Sequence, residues 1–365
     1  MNLFSSKFFR TYLLPGFVFQ SIVIGGGYGT GRELVEFFLL QGPLSGLAGM
    51  MVSMTIWSIV LALSFELARM GKTYNYRTFI KSFLGKGWPA YEVVYIIGLI
   101  LVIAVVGSAA GELASNMFGV SELAGTIIMI MFVGLLAFYG TSIIEKIMSM
   151  WSIGLYIAFF VLIVACLYVF GGKIGEAIKV FESDSSWLLS GIKYSAYNIG
   201  LMPAMIFVVR HFDNRKEAMV SGVIAGGLTM IPGVLIYVSM LAGWPEIIEE
   251  AVPINFLLQE LGMPAFMMVF QIILFGTFIE TGVGLIHGVN ERIAGAYQEA
   301  QKKMPRSMRA AVALIILLIS IFLADAIGIV ALISDGYGAL TWGYMVAFVI
   351  PVLSIGVYKI FRSTA

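Results

Sequence analysis

A glycine-rich run interrupts the first apolar segment of the chain, and two opposite charges follow it. The run reads Gly25-Gly26-Gly27-Tyr28-Gly29-Thr30-Gly31, and Arg32 and Glu33 come directly after it. Five glycines in seven residues hold a regular helix poorly. Within a bilayer, irregular backbone is tolerated only where it is buried in protein or lines a cavity, because no water satisfies its peptide groups. The run therefore predicts a binding site within a broken helix, with close helix packing through Gly-x-x-x-Gly as the alternative.

A broken helix frees peptide groups on both sides of the break. The freed carbonyls of Val23, Ile24 and Gly26 are candidate ligands for a cation. The helix that restarts near Thr30 turns its positive dipole end toward the break, and this end attracts a carboxylate or another anion. A P-loop is excluded, because Arg32 and Glu33 stand where Lys and Ser/Thr belong. The candidate solute-binding residues here are Gly25, Gly26, Gly27, Tyr28, Gly29 and Thr30.

A second interruption lies in the apolar segment near residue 200. Polar residues, a glycine and a proline collect between Tyr194 and Pro203, where an unbroken span would be smooth. Freed backbone and side chains at this point are suited to contact polar groups of a solute. The candidate contacts are Ser195, Tyr197 and Asn198, and ordinary aromatic packing is the alternative for Tyr197.

A third group of polar residues lies on one face of a later helix. Thr277, Glu280, Thr281, Gly284 and His287 follow one another at helical spacing. Glu280 falls near the middle of its apolar segment, where a carboxylate is costly and is a functional candidate by default. The alternative is a carboxyl neutralised by an internal partner that serves helix association only. His287 is a candidate proton relay, against the alternative of an ordinary core histidine.

The composition of the chain indicates that these polar residues lie within a membrane protein. The chain has 365 residues, of which 60% are hydrophobic and 12% charged, with a mean hydropathy of +0.96. These values predict an integral membrane protein in contact with the lipid bilayer. The net charge of +1 argues against nucleic acid as a partner. The single Cys166 excludes an internal disulfide and a zinc cluster, and we expect no cofactor and no enzymatic activity.

The apolar stretches predict an all-α protein with ten membrane spans. Most of the 22 lysines and arginines then fall on the side of both chain ends, which places both ends in the cytoplasm and the protein in the cell membrane. The predicted spans are Tyr12–Gln41, Leu44–Met70, Trp88–Met117, Glu122–Gly140, Ile147–Gly171, Ser190–Phe212, Ala218–Gly243, Pro264–Arg292, Ser307–Ile333 and Gly338–Phe361.

Ten spans divide into two halves of five that insert with opposite topology. We predict a first repeat over residues 1–171, an extracellular connector over residues 172–189 and an inverted second repeat over residues 190–365. Short surface helices are expected at Ile174–Phe181 and Pro245–Leu261. The two interrupted spans, the first and the sixth, occupy matching places in the halves, which is the best pointer in a sequence to a central solute site.

These features resemble the LeuT fold of the amino acid–polyamine–organocation superfamily, including its uncharacterised bacterial branches. The resemblance implies that spans one and six are discontinuous. It also implies a Na⁺ site at Thr277, Glu280 and Thr281, which face carbonyls of span one, although Glu280 stands where the fold often has a hydroxyl. A carboxylate at this place suits either Na⁺ or H⁺.

The resemblance also implies an outer gate. In this fold an arginine near Arg32 pairs with an aspartate of span ten, for which Asp335 is the match and Glu112 the other candidate. The alternative from spacing alone is a local pair between Arg32 and Glu36, which lie four residues apart.

The resemblance implies a secondary active transporter of a small polar solute, most plausibly an amino acid or related zwitterion, coupled to Na⁺ or H⁺ by alternating access. The alternative is a membrane-embedded sensor of the same fold that binds its solute without moving it. Broken helices argue against a channel with a continuous pore.

Overall fold

The computed structural model describes residues 6–139, 141–180, 186–299, 301–302 and 304–362, and every element within these ranges is helical. Seven helices of the described residues are long and apolar enough to cross a membrane. One further span is bent by 66° between Ser186–Ile199 and Met202–His211. The chain is therefore a multi-pass membrane protein, as its composition predicts.

The helices follow one another along the chain with short connections. They are α1 Leu14–Val23, α2 Arg32–Phe37, α3 Pro43–Gly71, α4 Tyr76–Leu84, α5 Trp88–Phe118, α6 Glu122–Tyr139, α7 Thr141–Ala177, α8 Ser186–Ile199, α9 Arg215–Met240, α10 Pro253–Glu260, α11 Pro264–Glu299, α12 Arg306–Ile327 and α13 Ile329–Arg362. A π-helical turn at Ile24–Tyr28 follows α1, a 3₁₀ helix at Met202–His211 follows α8, and a short 3₁₀ turn at Glu246–Glu249 precedes α10.

Two predicted span boundaries are wrong. Span nine was expected to reach Ile333, and span ten to begin at Gly338, but α12 ends at Ile327 and α13 begins at Ile329. Gly328 separates them with a φ of 79°, a conformation that favours glycine and ends the helix. Hydropathy misses this turn because the residues on both sides are apolar.

The helix of span five also extends beyond its predicted end. It continues through Gly171 to Ala177, so Ile174 belongs to α7 and not to a separate surface helix. The other predicted surface segment does contain short helices, at Glu246–Glu249 and Pro253–Glu260. The predicted connector over residues 172–189 includes residues 181–185, which lie outside the described ranges.

The centre of the molecule is a close crossing of α3 and α9. A Cβ placed on Gly222 would lie 2.7 Å from the backbone carbonyl carbon of Leu61, and one on Gly226 would lie 2.6 Å from the backbone nitrogen of Ser58. The two helices therefore meet backbone to backbone. The interrupted segments lie beside this pair, since α1 packs on α9 and α8 packs on α3.

Substitution of Gly222 tests this packing. We expect Gly222→Leu to destabilise the protein by about 1–3 kcal/mol or more, because the new side chain has no space against α3. Gly227→Leu on the same helix is the control, since a Cβ there meets nothing within 4 Å. Thermal unfolding of the purified proteins measures the difference, and equal melting temperatures for the two variants would contradict the close crossing.

Candidate functional site

The first apolar segment loses its regular helix at the glycine run. The α-helix ends at Val23, a π-helical turn covers Ile24–Tyr28, and the α-helix resumes at Arg32. Gly31 has a φ of 79° directly before the new helix. The Oγ1 atom of Thr30 accepts a hydrogen bond of 3.1 Å from the backbone N–H of Arg32 and so satisfies one of the free groups of the first turn.

The start of the π-helical turn lies against α11. A Cβ placed on Gly25 would overlap the Thr281 hydroxyl and would lie 2.7 Å from Cγ2 of Thr281. A glycine at this position lets the backbone of the first segment approach a threonine of the predicted cation site. The predicted meeting of span one with span eight is therefore present in the structure.

A cavity of about 350 Å³ opens beside this contact. Its wall includes residues of the first apolar segment between Val18 and Gly25, part of the 3₁₀ helix after the bend (residues 204–207), and residues of α11 between Thr277 and Gly288. The cavity is therefore bounded by the first apolar segment, the bent span and α11.

Most of the predicted cation ligands line this cavity. Ile24, Thr277, Glu280 and Thr281 are all on its wall. The hydroxyls of Thr277 and Thr281 donate to carbonyls one turn earlier on α11, at 2.9 and 3.0 Å. Their oxygen lone pairs stay available to a cation, because a hydroxyl accepts as well as donates.

The other residues of the predicted cation site are placed differently. Val23 is buried at the end of α1 and lies off the cavity wall, while the surroundings of Gly26 are outside the described residues. The side chain of His287, the predicted relay, is also outside the described residues.

Among the described residues, two of the predicted solute contacts, Gly25 and Tyr197, line the cavity. Tyr28 is fully buried and turns toward α9, where its hydroxyl donates to the Thr229 carbonyl at 3.4 Å. Gly233 of α9 has no side chain and so leaves room for the Tyr28 ring. Tyr28 therefore packs between helices in this conformation.

The polar residues of α8 bond within their own helix. The Ser195 hydroxyl donates to the Ile192 carbonyl at 2.7 Å, and the Asn198 amide donates to the Tyr194 carbonyl at 3.2 Å. Both side chains are buried, so these bonds satisfy groups that lipid would leave unpaired. Their predicted contact with a solute stays a prediction.

Glu33 is a buried polar residue that the sequence analysis named only as the neighbour of Arg32. Its side chain is 0% exposed, and its Oε1 accepts a hydrogen bond of 3.3 Å from the Tyr197 hydroxyl. The Tyr197 ring stacks on Tyr337 of α13 with centroids 4.3 Å apart. The signal in the sequence was a carboxylate directly after a break at mid-membrane, the same signal that identified Glu280.

Arg32 points away from the cavity. Its Nη1 donates to the Ile248 and Glu250 carbonyls at 2.7 and 3.0 Å, and its Nη2 pairs with Glu36 at 3.1 Å. The structure thus shows the local pair, which was the alternative to the predicted gate. The guanidinium therefore connects the start of α2 to the loop before α10.

The two residues predicted to pair with Arg32 lie elsewhere in this conformation. Asp335 is exposed, and Glu112 accepts a hydrogen bond of 3.3 Å from Asn116. Neither forms an ion pair with Arg32 among the described residues, because its Nη1 and Nη2 groups bond to loop carbonyls and to Glu36. A gate with either residue stays a prediction for another conformation.

Comparison with known proteins gives the fold. No protein-family model matches the chain. An uncharacterized membrane protein of Bacillus subtilis, YkvI, is 26% identical over 284 residues, which cover 76% of this chain and 79% of the relative. The structure of MhsT in complex with L-phenylalanine has a TM-score of 0.59 at 16% identity, covering 95% of this chain and 97% of MhsT.

Two further solved structures are similar to this chain over most of its length. A manganese transporter of Eremococcus coleocola has a TM-score of 0.62 at 11% identity and covers 96% of this chain and 80% of its own. A Na⁺-coupled sialic acid symporter has a TM-score of 0.51 at 11% identity and covers 92% of this chain and 86% of its own. The chain has the LeuT fold. The resemblance of the chain to the LeuT fold is thereby confirmed, and the cavity lies between the first segment, the bent span and α11.

Proposed function

We propose that this protein is a secondary active transporter that moves a small polar solute, an amino acid or related zwitterion, with Na⁺ or H⁺ as the coupling ion. One observation carries the proposal. The cavity joins the break at Gly25 to the oxygen-bearing face of α11 at Thr277, Glu280 and Thr281. Oxygen ligands of this kind suit a hard cation, and irregular backbone in a membrane is expected to line a solute site.

The solved neighbours support transport as the activity. They include a manganese transporter and a Na⁺-coupled sialic acid symporter, and MhsT was solved with L-phenylalanine. These solutes differ widely, so we assign the solute class of this chain from its own cavity. A volume of about 350 Å³ suits a molecule of amino-acid size.

The helix packing supports the inverted repeat that alternating access requires. With the interrupted first segment as span one and α8 with its 3₁₀ continuation as span six, α3 and α9 are spans two and seven. Span one packs on span seven, and span six packs on span two, as a two-fold relation between the halves demands. We propose ten spans in two inverted halves of five, with both chain ends in the cytoplasm.

We further propose that this conformation is open to the cytoplasm. The cavity wall includes α1 residues that precede the break, whereas Arg32, which follows the break, bonds to the loop before α10. In addition, the Ile254 N–H donates to the Thr30 carbonyl at 3.2 Å. Transport requires these contacts to break so that the cavity opens to the outside.

Cysteine labelling tests this orientation. In a Cys166→Ser background, we expect Ser21→Cys, on the cavity wall, to react with a membrane-impermeant thiol reagent from the cytoplasmic side. Glu249→Cys, exposed in the loop before α10, is the control and should react from the outside only. Labelling of Ser21→Cys from the outside alone would contradict an inward-open cavity.

A binding screen tests the proposed solute class. Purified protein is heated with single amino acids and related zwitterions, in Na⁺ or in K⁺ and at two pH values. A bound solute raises the melting temperature by mass action. Stabilisation that needs Na⁺ supports a sodium site at α11, and stabilisation that depends on pH alone supports a proton. Stabilisation by unrelated solutes only would contradict the proposed class.

A further inference from the structure

The ionisable side chains that the structure describes on the cavity wall carry no positive charge. Among the described side chains on its wall, Glu280 is the one ionisable acid and none is Lys, Arg or His. Glu33 adds a second carboxylate immediately behind Tyr197, whose ring belongs to the wall. A cavity with this lining attracts positive charge.

Glu33 has half of its hydrogen-bonding capacity unused. Its Oε2 atom is buried and has no hydrogen-bond partner among the described residues. This oxygen lies 2.5 Å from the position that a Cβ on Gly27 would take, so the carboxylate folds back over the glycine run. Only a glycine at residue 27 leaves room for it. The carboxylate therefore faces the break itself.

The adjacent cation does not neutralise Glu33. The guanidinium of Arg32 is bound to Glu36 and to the Ile248 and Glu250 carbonyls, on the outer side. A buried carboxylate without a positive partner is costly, and a cation that arrives beside it recovers much of that cost. The described residues therefore supply no cationic partner for Glu33.

Glu33 also changes what the start of α2 can bind. From the dipole alone, the sequence predicts that a solute carboxylate binds at this end. The Glu33 carboxylate already lies there, and a second negative charge beside it would be repelled. The polarity of the site is therefore opposite to the one that the backbone alone suggests.

We propose that Glu33 binds the cationic nitrogen of the transported solute. The inference rests on the proposed function and adds the part of the solute that the break recognises. The solute enters from the cavity, and the Tyr197 side chain, which separates the cavity from Glu33, turns to admit its ammonium group. Solutes with a protonated amine bind, and anionic analogues of the same shape do not.

The test uses probes that differ only in their nitrogen or carboxylate. The purified full-length protein is titrated with L-phenylalanine, phenethylamine and 3-phenylpropionate, and with L-leucine, isoamylamine and 4-methylpentanoate, while the melting temperature is recorded. We expect stabilisation by one amino acid or amine at least, and none by the two acids that lack nitrogen. Glu33→Gln should weaken the binding of that amine about tenfold or more, because a charge-assisted hydrogen bond is lost.

Two variants separate binding from folding. Glu122→Gln removes an exposed carboxylate at the start of α6, away from the break, and should keep the preference for amines. Glu33→Asp keeps the charge and should bind amines more tightly than Glu33→Gln does. Binding of the nitrogen-free acids, stabilisation by none of the amino acids and amines, or equal affinity of wild type and Glu33→Gln for the stabilising compound overturns the inference. If the Glu33 inference fails but the protein still takes up solute, the proposed transport function stands. If amines bind through Glu33 but no uptake occurs, the transport function fails and the Glu33 inference stands.

Discussion

Glu280→Gln is expected to abolish uphill accumulation of the solute while exchange of solute across the membrane continues. Glu280 lines the cavity, about one turn from Thr277 and directly before Thr281. Its replacement by an amide removes the charge that holds Na⁺ or carries H⁺, and a lost charged ligand weakens cation binding about tenfold or more. Gradient-driven uptake and solute exchange in proteoliposomes measure the two activities separately.

The control for this prediction is Glu122→Gln, which changes the exposed first residue of α6, away from the cavity. It should accumulate solute as the wild type does. Full accumulation by Glu280→Gln would show that the carboxylate serves helix association only, which is the alternative reading of its place in the sequence.

Gly25→Val is expected to remove cation-dependent uptake almost completely. The new side chain would enter the space of the Thr281 side chain, which lies within contact distance of any Cβ at residue 25. Either the first segment moves away from α11 or Thr281 leaves its rotamer, and both changes separate the oxygen groups of the proposed cation site. Uptake at increasing Na⁺ concentration, and at increasing H⁺ concentration, measures the loss.

Gly154→Val is the matched control, because a Cβ at Gly154 of α7 meets nothing within 4 Å. The melting temperatures of both variants show whether the protein still folds. A folded Gly25→Val protein with unchanged cation dependence would place the cation elsewhere than between the first segment and α11.

The sequence predicts the broken first segment and the polar face of α11 well, because both depend on local chemistry. A glycine run cannot hold a regular helix, and a carboxylate in an apolar segment is conspicuous whatever surrounds it. The structure places Gly25, Thr277, Glu280 and Thr281 on one cavity wall, as these patterns suggest.

The directions of individual side chains could not be read from the sequence. Tyr28 turns into the groove at Gly233 of α9, and Glu33 folds back over Gly27, because distant backbone leaves space in those places. The choice of partner for Arg32 likewise depends on loop carbonyls more than 200 residues away. Such facts follow from tertiary packing, whereas helix ends such as Gly328 follow from backbone conformations that hydropathy does not detect.

The most direct test of the account is uptake of a stabilising solute into proteoliposomes that contain the purified protein. We predict accumulation above the outside concentration when an inward Na⁺ or H⁺ gradient is imposed, and its collapse when an ionophore dissipates that gradient. Specific binding of the solute without any movement across the membrane, in either gradient, would contradict transport and identify the protein as a sensor.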